Sequence, residues 1–455
     1  MTDAVDRDRE VAILGLGKSG AAAAKLLLAD GRRVYVSDAG TSLAVEDLAR
    51  QLRDIGAAVD TGGHDLPRIA RAAMVVVSPG IDPKAPPVAA AREAKRKLVS
   101  EVEVALGYLT HTRVIAVTGT NGKTTTTALI GHILRGLGES AVDAGNIGTP
   151  LSDYARRDVR PDWIALEMSS FQLHDTPGLN PTVGVLTNLS PDHLDRYPTE
   201  EEYYADKALL FQNAGAGSNW VLNVDDERVQ QMAAPVKGSK FGFSVQHKAD
   251  AWYDEAAGKL MLGEGTLMER GQLSLLGDHN VANALAAALA VTVADARFRD
   301  EEARKGIADA LKSFEALHHR LEIVGEVNGV QWINDSKATN VSSALVAIAG
   351  MKRPTILLLG GKHKGEPYTP LADAIRKNVK KIIAYGEAGP IVEKDLRDVV
   401  PVELLGLDFE EVMQHARESA EPGDAVLMSP ACSSYDMFHN YEERGERFRK
   451  IALGE

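Results

Sequence analysis

The sequence predicts an α/β protein of three domains, each built around a largely parallel sheet. Apolar, β-branched runs of strand length alternate with Ala- and Leu-rich helical stretches, which is typical of parallel strands joined by crossover helices. Glycine-rich turns stand between a predicted strand and a predicted helix at 15–20 and again at 119–122. The length of 455 residues exceeds what one hydrophobic core supports, so several domains are expected.

The predicted strands are short and apolar in every domain. In the first domain, residues 1–110, they are 11–14, 34–37 and 74–78, with a helix over 19–29. In the second domain, residues 111–318, they are 114–117, 163–166, 183–187, 240–244 and a β-like segment at 273–276, with helices over 280–294 and 301–314. In the third domain, residues 319–455, they are 330–333, 355–359, 381–384 and 425–428.

Composition limits the kinds of partner that the protein is expected to bind and the cellular compartment in which it is expected to lie. The formal charge of -13, from 51 basic and 64 acidic residues, argues against a nucleic-acid partner, because binding a polyphosphate backbone requires clustered cations. The single cysteine, Cys432, excludes an intramolecular disulfide and favours a reducing compartment. The polar N-terminus does not resemble a signal peptide, and no apolar run reaches the roughly 20 residues that span a bilayer. We expect a cytoplasmic protein that binds neither nucleic acid nor membrane.

The segment Gly119-Thr-Asn-Gly-Lys-Thr124 has the strand–turn–helix context of a phosphate-binding loop. Glycines let backbone N–H groups approach phosphate oxygens, and the helix N-terminus adds partial positive charge. Lys123 can bridge the β- and γ-phosphates, and the Thr124 hydroxyl can ligate Mg²⁺. Val117 stands where the usual pattern has a glycine, so the match is a variant. The alternative is a structural turn with a surface lysine.

Polar residues follow two neighbouring predicted strands. Glu167 ends the strand at 163–166, and Asp192-His193 follows the strand at 183–187. A carboxylate close to Thr124 suits a hard cation, which prefers oxygen ligands, and His193 is a candidate ligand beside it. The alternatives are a solvated strand end and a structural histidine.

The N-terminal turn Gly15-Leu-Gly-Lys-Ser-Gly20 matches the dinucleotide fingerprint, and Asp38 ends the next predicted strand. Read alone, this turn indicates an NAD-dependent oxidoreductase. A nucleotide switch protein without catalysis is a third possibility, although it leaves the loops at 334–340 and 429–434 without a purpose.

Several motifs together resemble the Mur ligases from about Val11 to Arg449. They are Thr118–Thr124, Leu166–Leu173, Asn188–Arg196, Gly277–Asn280 with Asn283, His319-Arg320, Asn334–Asn340, Ser429–Ser434 and Asn440–Gly445. The last groups resemble the D-glutamate-adding branch of the family. Other Mur ligases and folylpolyglutamate synthase share the same core and are the nearest alternatives.

The resemblance implies an N-terminal Rossmann-like domain for a UDP substrate, a central P-loop ATPase domain and a C-terminal Rossmann-like domain for an amino acid. The implied activity is ATP-driven amide formation through an acyl phosphate, as part of peptidoglycan synthesis. The implied substrates are UDP-N-acetylmuramoyl-L-alanine and D-glutamate. ATP and two Mg²⁺ ions would be the cofactors, and the chain would act as a monomer.

The resemblance also assigns roles to individual residues. The catalytic set is Lys123, Glu167, His193, Lys207 and Lys337. ATP would contact Gly119, Thr120, Asn121, Gly122, Lys123, Thr124, Thr125, Asn283, Arg320 and Asp335. The UDP substrate would contact Gly17, Lys18, Ser19, Asp38, Gly80, Asn146 and His193. D-Glutamate would contact Thr339, Lys364, Ser434, Tyr435 and Tyr441. The metal ligands would be Thr124, Glu167, His193 and Lys207.

Lys207 would serve as a metal ligand only after carbamylation. An ammonium group has donors and no acceptor, so it cannot ligate Mg²⁺, whereas CO₂ converts it to an anionic oxygen ligand. Without the resemblance, Lys207 would be interpreted as a solvated helix lysine.

For three further groups of residues, a second interpretation of their role stays open. Lys362 stands beside Lys364 in Gly360–Gly365, and alignment to the glycine pair favours Lys364 for D-glutamate. Asn280 and Asn283 could instead cap a helix. Cys432 is expected to pack in its loop and not to act as a nucleophile, because the implied mechanism needs none.

Overall fold

The computed structural model describes residues 9–192, 196–275, 277–315 and 317–455. These residues form three sheets, and the predicted α/β class is confirmed. Across the same part of the chain, no helix is both long enough and apolar enough to cross a membrane.

The N-terminal sheet is parallel, with the strand order β3-β2-β1-β4-β5. Its strands are β1 Val11–Leu14, β2 Val34–Asp38, β3 Ala58–Thr61, β4 Met74–Val77 and β5 Lys97–Val99. Its helices are α1 Lys18–Ala29, α2 Leu43–Asp54, α3 Leu66–Arg71, α4 Pro86–Glu93 and α5 Glu101–Leu106. The central strand β1 is buried along its whole length, which accounts for its uninterrupted apolar sequence.

The second sheet has nine strands in the order β14-β13-β12-β11-β10-β9-β6-β8-β7. They are β6 Arg113–Thr118, β7 Ala141–Gly145, β8 Trp163–Glu167, β9 Val183–Leu186, β10 Asn219–Asn223, β11 Ser239–Ser244, β12 Ala251–Asp254, β13 Lys259–Leu262 and β14 Gly265–Glu269. The helices are α6 Lys123–Gly136, α7 Leu151–Ala155, α8 Ser170–His174, α9 Glu200–Ala208, α10 Glu227–Ala233, α11 Asp278–Ala294 and α12 Glu301–Ser313. The pairs from β7 to β12 along this order are parallel, and β12 pairs with β13 antiparallel.

The third sheet has the order β15-β16-β20-β17-β18-β19. Its strands are β15 Glu322–Val327, β16 Val330–Asn334, β17 Thr355–Gly360, β18 Val379–Tyr385, β19 Val402–Leu404 and β20 Ala425–Met428. Its helices are α13 Val341–Ala349, α14 Ala372–Asn378, α15 Gly389–Leu396, α16 Phe409–Ser419 and α17 Tyr441–Leu453. Only β15 runs antiparallel to its neighbour among these described strands.

The candidate residues follow the carboxyl ends of parallel strands, where ligands bind in open α/β sheets. The turn at 15–20 follows β1, the phosphate loop follows β6, and Glu167 ends β8. Strands β8 and β9 flank β6 on its two sides, so the sheet itself brings the ends of these three strands together.

The β-like segment predicted at 273–276 is wrong for Leu273–Leu275, which belong to no strand; residue 276 lies outside the described residues. The Arg270 guanidinium donates to the carbonyl oxygens of Leu273 and Leu275, both at 3.1 Å. The Ser274 hydroxyl donates to Phe314 O at 2.7 Å. Because these carbonyls already have side-chain donors, the segment forms a loop although its apolar residues favour a strand.

The chain divides into two compact units. The first holds Met1–Leu189, Glu201–Met268 and Asn283–Leu311, and contains the N-terminal sheet with most of the second sheet. The second holds Ser190–Glu200, Glu269–Ala282 and Lys312–Glu455, and contains the third sheet. The domain boundaries predicted at 110 and 318 stay predictions.

Replacing Gly360 with alanine should destabilise the third sheet. Gly360 ends β17 with φ 150°, and a Cβ atom there would lie 2.0 Å from Tyr385 O. We expect a loss of about 3 kcal/mol, from backbone strain and the steric clash, seen as a lower thermal midpoint. Gly406→Ala is the matched control, because a Cβ atom there meets nothing within 4 Å. Equal thermal midpoints for the two variants would contradict the requirement for glycine at position 360.

Candidate active site

The phosphate loop lies between β6 and α6, and two glycines with left-handed backbone shape it. Gly119 has φ 141° and Gly122 has φ 81°. A Cβ atom would lie 2.0 Å from Thr187 Oγ1 at Gly119 and 2.3 Å from Asn283 Oδ1 at Gly122. Larger residues do not fit at either position, and the loop can therefore bring its backbone close to an anion.

Two residues after β9 hold this loop in place. Asn188 accepts the Thr120 N–H on its carbonyl oxygen at 2.9 Å and the Asn121 N–H on Oδ1 at 2.8 Å. The Thr187 hydroxyl donates to Asn121 O at 2.6 Å. Sequence reasoning gave Thr187 and Asn188 no role. Their place directly after a strand beside β6 was the signal that could have identified them.

The side chain of Lys123 folds back over the loop that precedes it. Its ammonium group donates to Gly119 O at 3.0 Å and to Thr120 O at 2.7 Å. Thr124 is half-buried and Thr125 is buried in the first turn of α6, whose N-cap is Gly122. The helix N-terminus and the ammonium group are thus both at the loop, where negative charge is stabilised.

Glu167 is buried at the end of β8, with 2% of its surface exposed. Oε1 accepts a hydrogen bond from Asn146 Nδ2 at 2.9 Å, and Oε2 has no hydrogen-bond partner among the described residues. A buried carboxylate oxygen without a partner is costly unless a cation or a proton satisfies it. The donor set therefore fits a Mg²⁺ ion. Within the described residues, no group of three or more His, Cys, Asp or Glu side chains could hold a metal by itself.

Lys207 lies on α9 and is 1% exposed, so the expectation of a solvated helix lysine is wrong. Its ammonium group donates to Gly119 O at 2.7 Å and lies 4.5 Å from the centre of the Tyr203 ring. The same carbonyl oxygen accepts the bond from Lys123. The fold thus brings a buried lysine against the phosphate loop from 88 residues away.

Asn283 meets the phosphate loop from the side of α11. It is buried, and its Oδ1 accepts a hydrogen bond from Thr126 Oγ1 at 3.2 Å. The helix begins at Asp278, so Asn280 and Asn283 lie within its first two turns.

His193 lies outside the described residues, and its two assigned roles stay predictions. The preceding Asp192 is buried, and its Oδ2 accepts a hydrogen bond from Asn340 Nδ2 at 2.9 Å. Asn340 is also the N-cap of α13, where its Oδ1 accepts the Ser343 N–H at 2.8 Å. Lys364 lies beside them, with 3.8 Å between its ammonium nitrogen and Asp192 Oδ1.

Asp335 follows β16 and is buried. Its two oxygens accept the Leu321 N–H at 3.2 Å and the Ser429 hydroxyl at 2.8 Å. Burial raises the pKa of Asp335 to about 7, against the hydrogen bonds and the charges of Arg320 and Arg444, which lower it. Arg320 is half-buried in the turn after Leu317.

Lys337 and Tyr441 form a cation–π pair, with the ammonium nitrogen 3.7 Å from the ring centre. Arg444, one turn later in α17, is fully buried, and its guanidinium donates to Ser336 Oγ, Ser336 O and Cys432 O at 2.9, 2.8 and 3.2 Å. Arg444 lies within one of the family motifs, but sequence reasoning gave it no role. It connects the loops after β16 and β20 to α17.

The remaining assigned residues of the third sheet differ in exposure. Ser434 is buried, Thr339 is half-buried, and Tyr435 is 68% exposed. Lys362 is exposed, whereas Lys364 is half-buried. Cys432 is buried and packs beside Tyr368, and burial raises the pKa of its thiol to about 12, which agrees with the expectation that it packs in its loop.

The N-terminal turn is tight, and backbone hydrogen bonds to the Asp38 side chain stabilise it. A Cβ atom at Gly20 would lie 2.0 Å from Gly15 O. The Asp38 carboxylate accepts the Leu16 N–H at 2.6 Å and the Gly40 N–H at 2.7 Å. Gly17 is the N-cap of α1, so Lys18 and Ser19 form its first turn, and Gly80 lies in the loop after β4.

Three family models match the chain in this order. They are the MurD-like N-terminal domain of the Mur ligases at 9–100, the Mur ligase middle domain at 117–291 and the Mur ligase glutamate ligase domain at 319–432. The three sheets fall in the same order along the chain.

Relatives match over almost the whole length. UDP-N-acetylmuramoylalanine--D-glutamate ligase of Koribacter versatilis (strain Ellin345) is 37% identical over 98% of this chain and 97% of its own. The protein of the same name from Salinibacter ruber is 37% identical over 99% and 98%. This chain belongs to the Mur ligase family.

Solved structures of two peptide-forming ligases share the fold. UDP-N-acetylmuramate-alanine ligase MurC from Thermotoga maritima matches with a TM-score of 0.63 and 18% identity, over 98% of this chain and 99% of that chain. A pseudomurein peptide ligase type C from Methanothermus fervidus matches with a TM-score of 0.60 and 21% identity, over 98% and 100%. The predicted three-domain α/β fold is confirmed, and membership of the Mur ligases removes the NAD-dependent oxidoreductase alternative.

The stability of this Mur ligase should depend on the ionisation of Asp335. Its folded pKa of about 7 lies above the ordinary value, so its contribution to stability is present at low pH and is lost as pH rises through 7. Asp335→Asn cannot ionise. We expect its stability relative to the parent chain to rise by about 2 kcal/mol between pH 5 and pH 7, measured by urea unfolding. Parallel pH profiles for the two proteins would contradict this.

Proposed function

We propose that this chain joins D-glutamate to UDP-N-acetylmuramoyl-L-alanine in an ATP-dependent reaction of peptidoglycan synthesis. The observation that carries the proposal is the match, over 97% of the relative's length, to an enzyme named for that reaction. The phosphate loop and the glutamate ligase domain support it, because the reaction needs both a triphosphate site and an amino-acid site.

The reaction would proceed in two balanced steps. A carboxylate oxygen of UDP-N-acetylmuramoyl-L-alanine attacks the γ-phosphorus of ATP, and the bond to ADP breaks. The amine nitrogen of D-glutamate then attacks the acyl carbon, the tetrahedral intermediate expels phosphate, and the nitrogen loses a proton. The γ-phosphoryl group therefore goes to a carboxylate and not to water.

The phosphate loop would hold the triphosphate. Lys123, now on two carbonyl oxygens, would exchange them for charged phosphate oxygens, which are stronger acceptors. The other proposed ATP contacts are Gly119, Thr120, Asn121, Gly122, Thr124, Thr125, Asn283, Arg320 and Asp335.

Mg²⁺ bound here would neutralise phosphate charge and stabilise the charge that develops during transfer. We assign one ion to Glu167 and Thr124, and a second to His193 and a carbamylated Lys207. The support for the first is the buried Glu167 Oε2, which has no hydrogen-bond partner among the described residues.

Carbamylation of Lys207 is supported by its surroundings. The ammonium groups of Lys207 and Lys123 donate to the same oxygen, Gly119 O, so the positive charge of the buried Lys207 lies close to that of the half-buried Lys123. In the modification, the neutral amine attacks the carbon of CO₂, an N–C bond forms and a proton is released. The product is anionic, which removes the repulsion, and it keeps one N–H for Gly119 O.

The substrate contacts follow the family resemblance. The UDP substrate would contact Gly17, Lys18, Ser19, Asp38, Gly80, Asn146 and His193. D-Glutamate would contact Thr339, Lys364, Ser434, Tyr435 and Tyr441, with Lys337 at the transferring phosphate. The half-buried position of Lys364 favours it over the exposed Lys362. We further propose that the chain acts as a cytoplasmic monomer, with domains at 1–110, 111–318 and 319–455.

Phosphate release should require D-glutamate. With UDP-N-acetylmuramoyl-L-alanine and ATP present, we expect release when D-glutamate is added and background rates with L-glutamate, L-lysine or diaminopimelate. The measurement is inorganic phosphate against time for each amino acid. Equal rates with any of the other three would overturn the proposed acceptor.

Lys207→Ala should abolish activity, and added CO₂ should not restore it, because no amine remains to carry the carbamate. In the parent chain supplied with ¹³C-bicarbonate, we expect a carbamate carbon resonance by NMR that Lys207→Ala lacks. Lys305→Ala on α12 is the control, because this lysine is exposed and its loss should change neither readout. Full activity of Lys207→Ala would end the hypothesis.

A further inference from the structure

Asn146 is bound to Glu167 through both its backbone and its side chain. Strands β7 and β8 are parallel neighbours with Gly145 opposite Glu167, so Asn146 follows directly beside the end of β8. The Asn146 N–H donates to Glu167 O at 3.0 Å, and Nδ2 donates to Oε1 at 2.9 Å. A carboxylate only accepts, so the amide must present its NH₂ group to Glu167.

Gly145 is what allows this close approach. It has φ 96°, and a Cβ atom there would lie 2.2 Å from Glu167 O. The backbone of β7 is therefore held against the end of β8 by a residue that a larger side chain cannot replace. Asn146 is exposed as a residue, yet its amide reaches a carboxylate that is 2% exposed.

The two oxygens of Glu167 are in different situations. Oε1 has the Asn146 amide as its donor, and Oε2 is buried without a partner among the described residues. A hydrogen bond to one oxygen restricts the rotation of the carboxylate and leaves the other oxygen in a fixed direction. An amide is also neutral. Unlike lysine or arginine in the same place, it adds no positive charge that would repel a cation.

We propose that Asn146 is a positioning residue for the cation that Glu167 binds, in addition to any contact it makes with the UDP substrate. The inference rests on the proposed function, because it takes Glu167 as a ligand of Mg²⁺ next to the nucleotide. It assigns Asn146 a task in the nucleotide half of the reaction, where the family resemblance gives it none. Asn146 would then connect the end of β7 to the cation indirectly, through its hydrogen bond to Glu167.

The test measures how strongly Mg²⁺ tightens nucleotide binding, without turnover. The dissociation constant of ADP is determined by calorimetry with and without Mg²⁺, in the parent chain and in Asn146→Leu, which has a similar volume and no donor. We expect the tightening factor to fall at least tenfold in the variant, which is about the range for the loss of a hydrogen bond to a metal ligand. ADP affinity without Mg²⁺ should stay unchanged.

The control is Asn219→Leu at the start of β10, where the amide makes a long 3.4 Å bond to Thr182 O. This variant should keep the full Mg²⁺ effect. If Asn146→Leu fails to fold, Asn146→Ser replaces it, since the shorter hydroxyl cannot span the distance to Oε1. Glu167→Gln should remove the Mg²⁺ effect, and adding Asn146→Leu to it should have no further consequence.

The outcomes separate the inference from the proposed function. If the parent chain shows the Mg²⁺ effect and Asn146→Leu keeps it in full, the inference is overturned and the proposed function stands. A raised KM for the UDP substrate with an intact Mg²⁺ effect also overturns the inference, because Asn146 would then be a substrate contact alone. If Mg²⁺ has no effect on ADP binding in the parent chain, the proposed cation site and the inference both fail.

Discussion

Two ammonium groups, those of Lys123 and Lys207, share the carbonyl oxygen of Gly119, and the nucleotide-binding part of the molecule depends on this arrangement. A carbonyl dipole is a weak acceptor for two cations, and a phosphate or carbamate oxygen carries the charge that it lacks. Gly119 reaches this position only because it has no side chain, since Thr187 occupies the space that a Cβ atom would need. An anion bound at this loop would therefore give the two ammonium groups a stronger acceptor than the carbonyl oxygen that they now share.

Much of the fold could be predicted from sequence, because the buried strands of parallel sheets are continuous apolar runs. Strands β1, β6, β8 and β17 are all predicted in this way. The segment 273–276 has the same apolar character, but its prediction as a strand is wrong because a side chain outside it, Arg270, takes its carbonyl groups. The strands β12 to β14 are not predicted, because their partly exposed residues give no continuous apolar pattern.

The residues of the candidate site could be predicted as motifs, but their contacts could not. The bond of Lys207 to Gly119 joins residues 88 apart, and that of Asn146 to Glu167 joins residues 21 apart. Local sequence predicts an exposed lysine on a polar helix, and only the packing of α9 against the phosphate loop buries it. The pairing of β7 with β8 likewise brings Asn146, which stays exposed, within hydrogen-bond distance of Glu167. Neighbouring strands of a parallel sheet are not neighbours in sequence, so such contacts depend on strand order, which motifs do not encode.

Arg444 shows the same principle in the third sheet. Its guanidinium has five donors in a planar fork, and here it satisfies carbonyl and hydroxyl oxygens of the loops after β16 and β20. A lysine could reach one of these loops but could not connect both with fixed geometry. Because Arg444 fixes the first turn of α17, the ring of Tyr441 is held over the ammonium group of Lys337. The position of Lys337, which we propose to lie at the transferring phosphate, thus depends on a buried arginine.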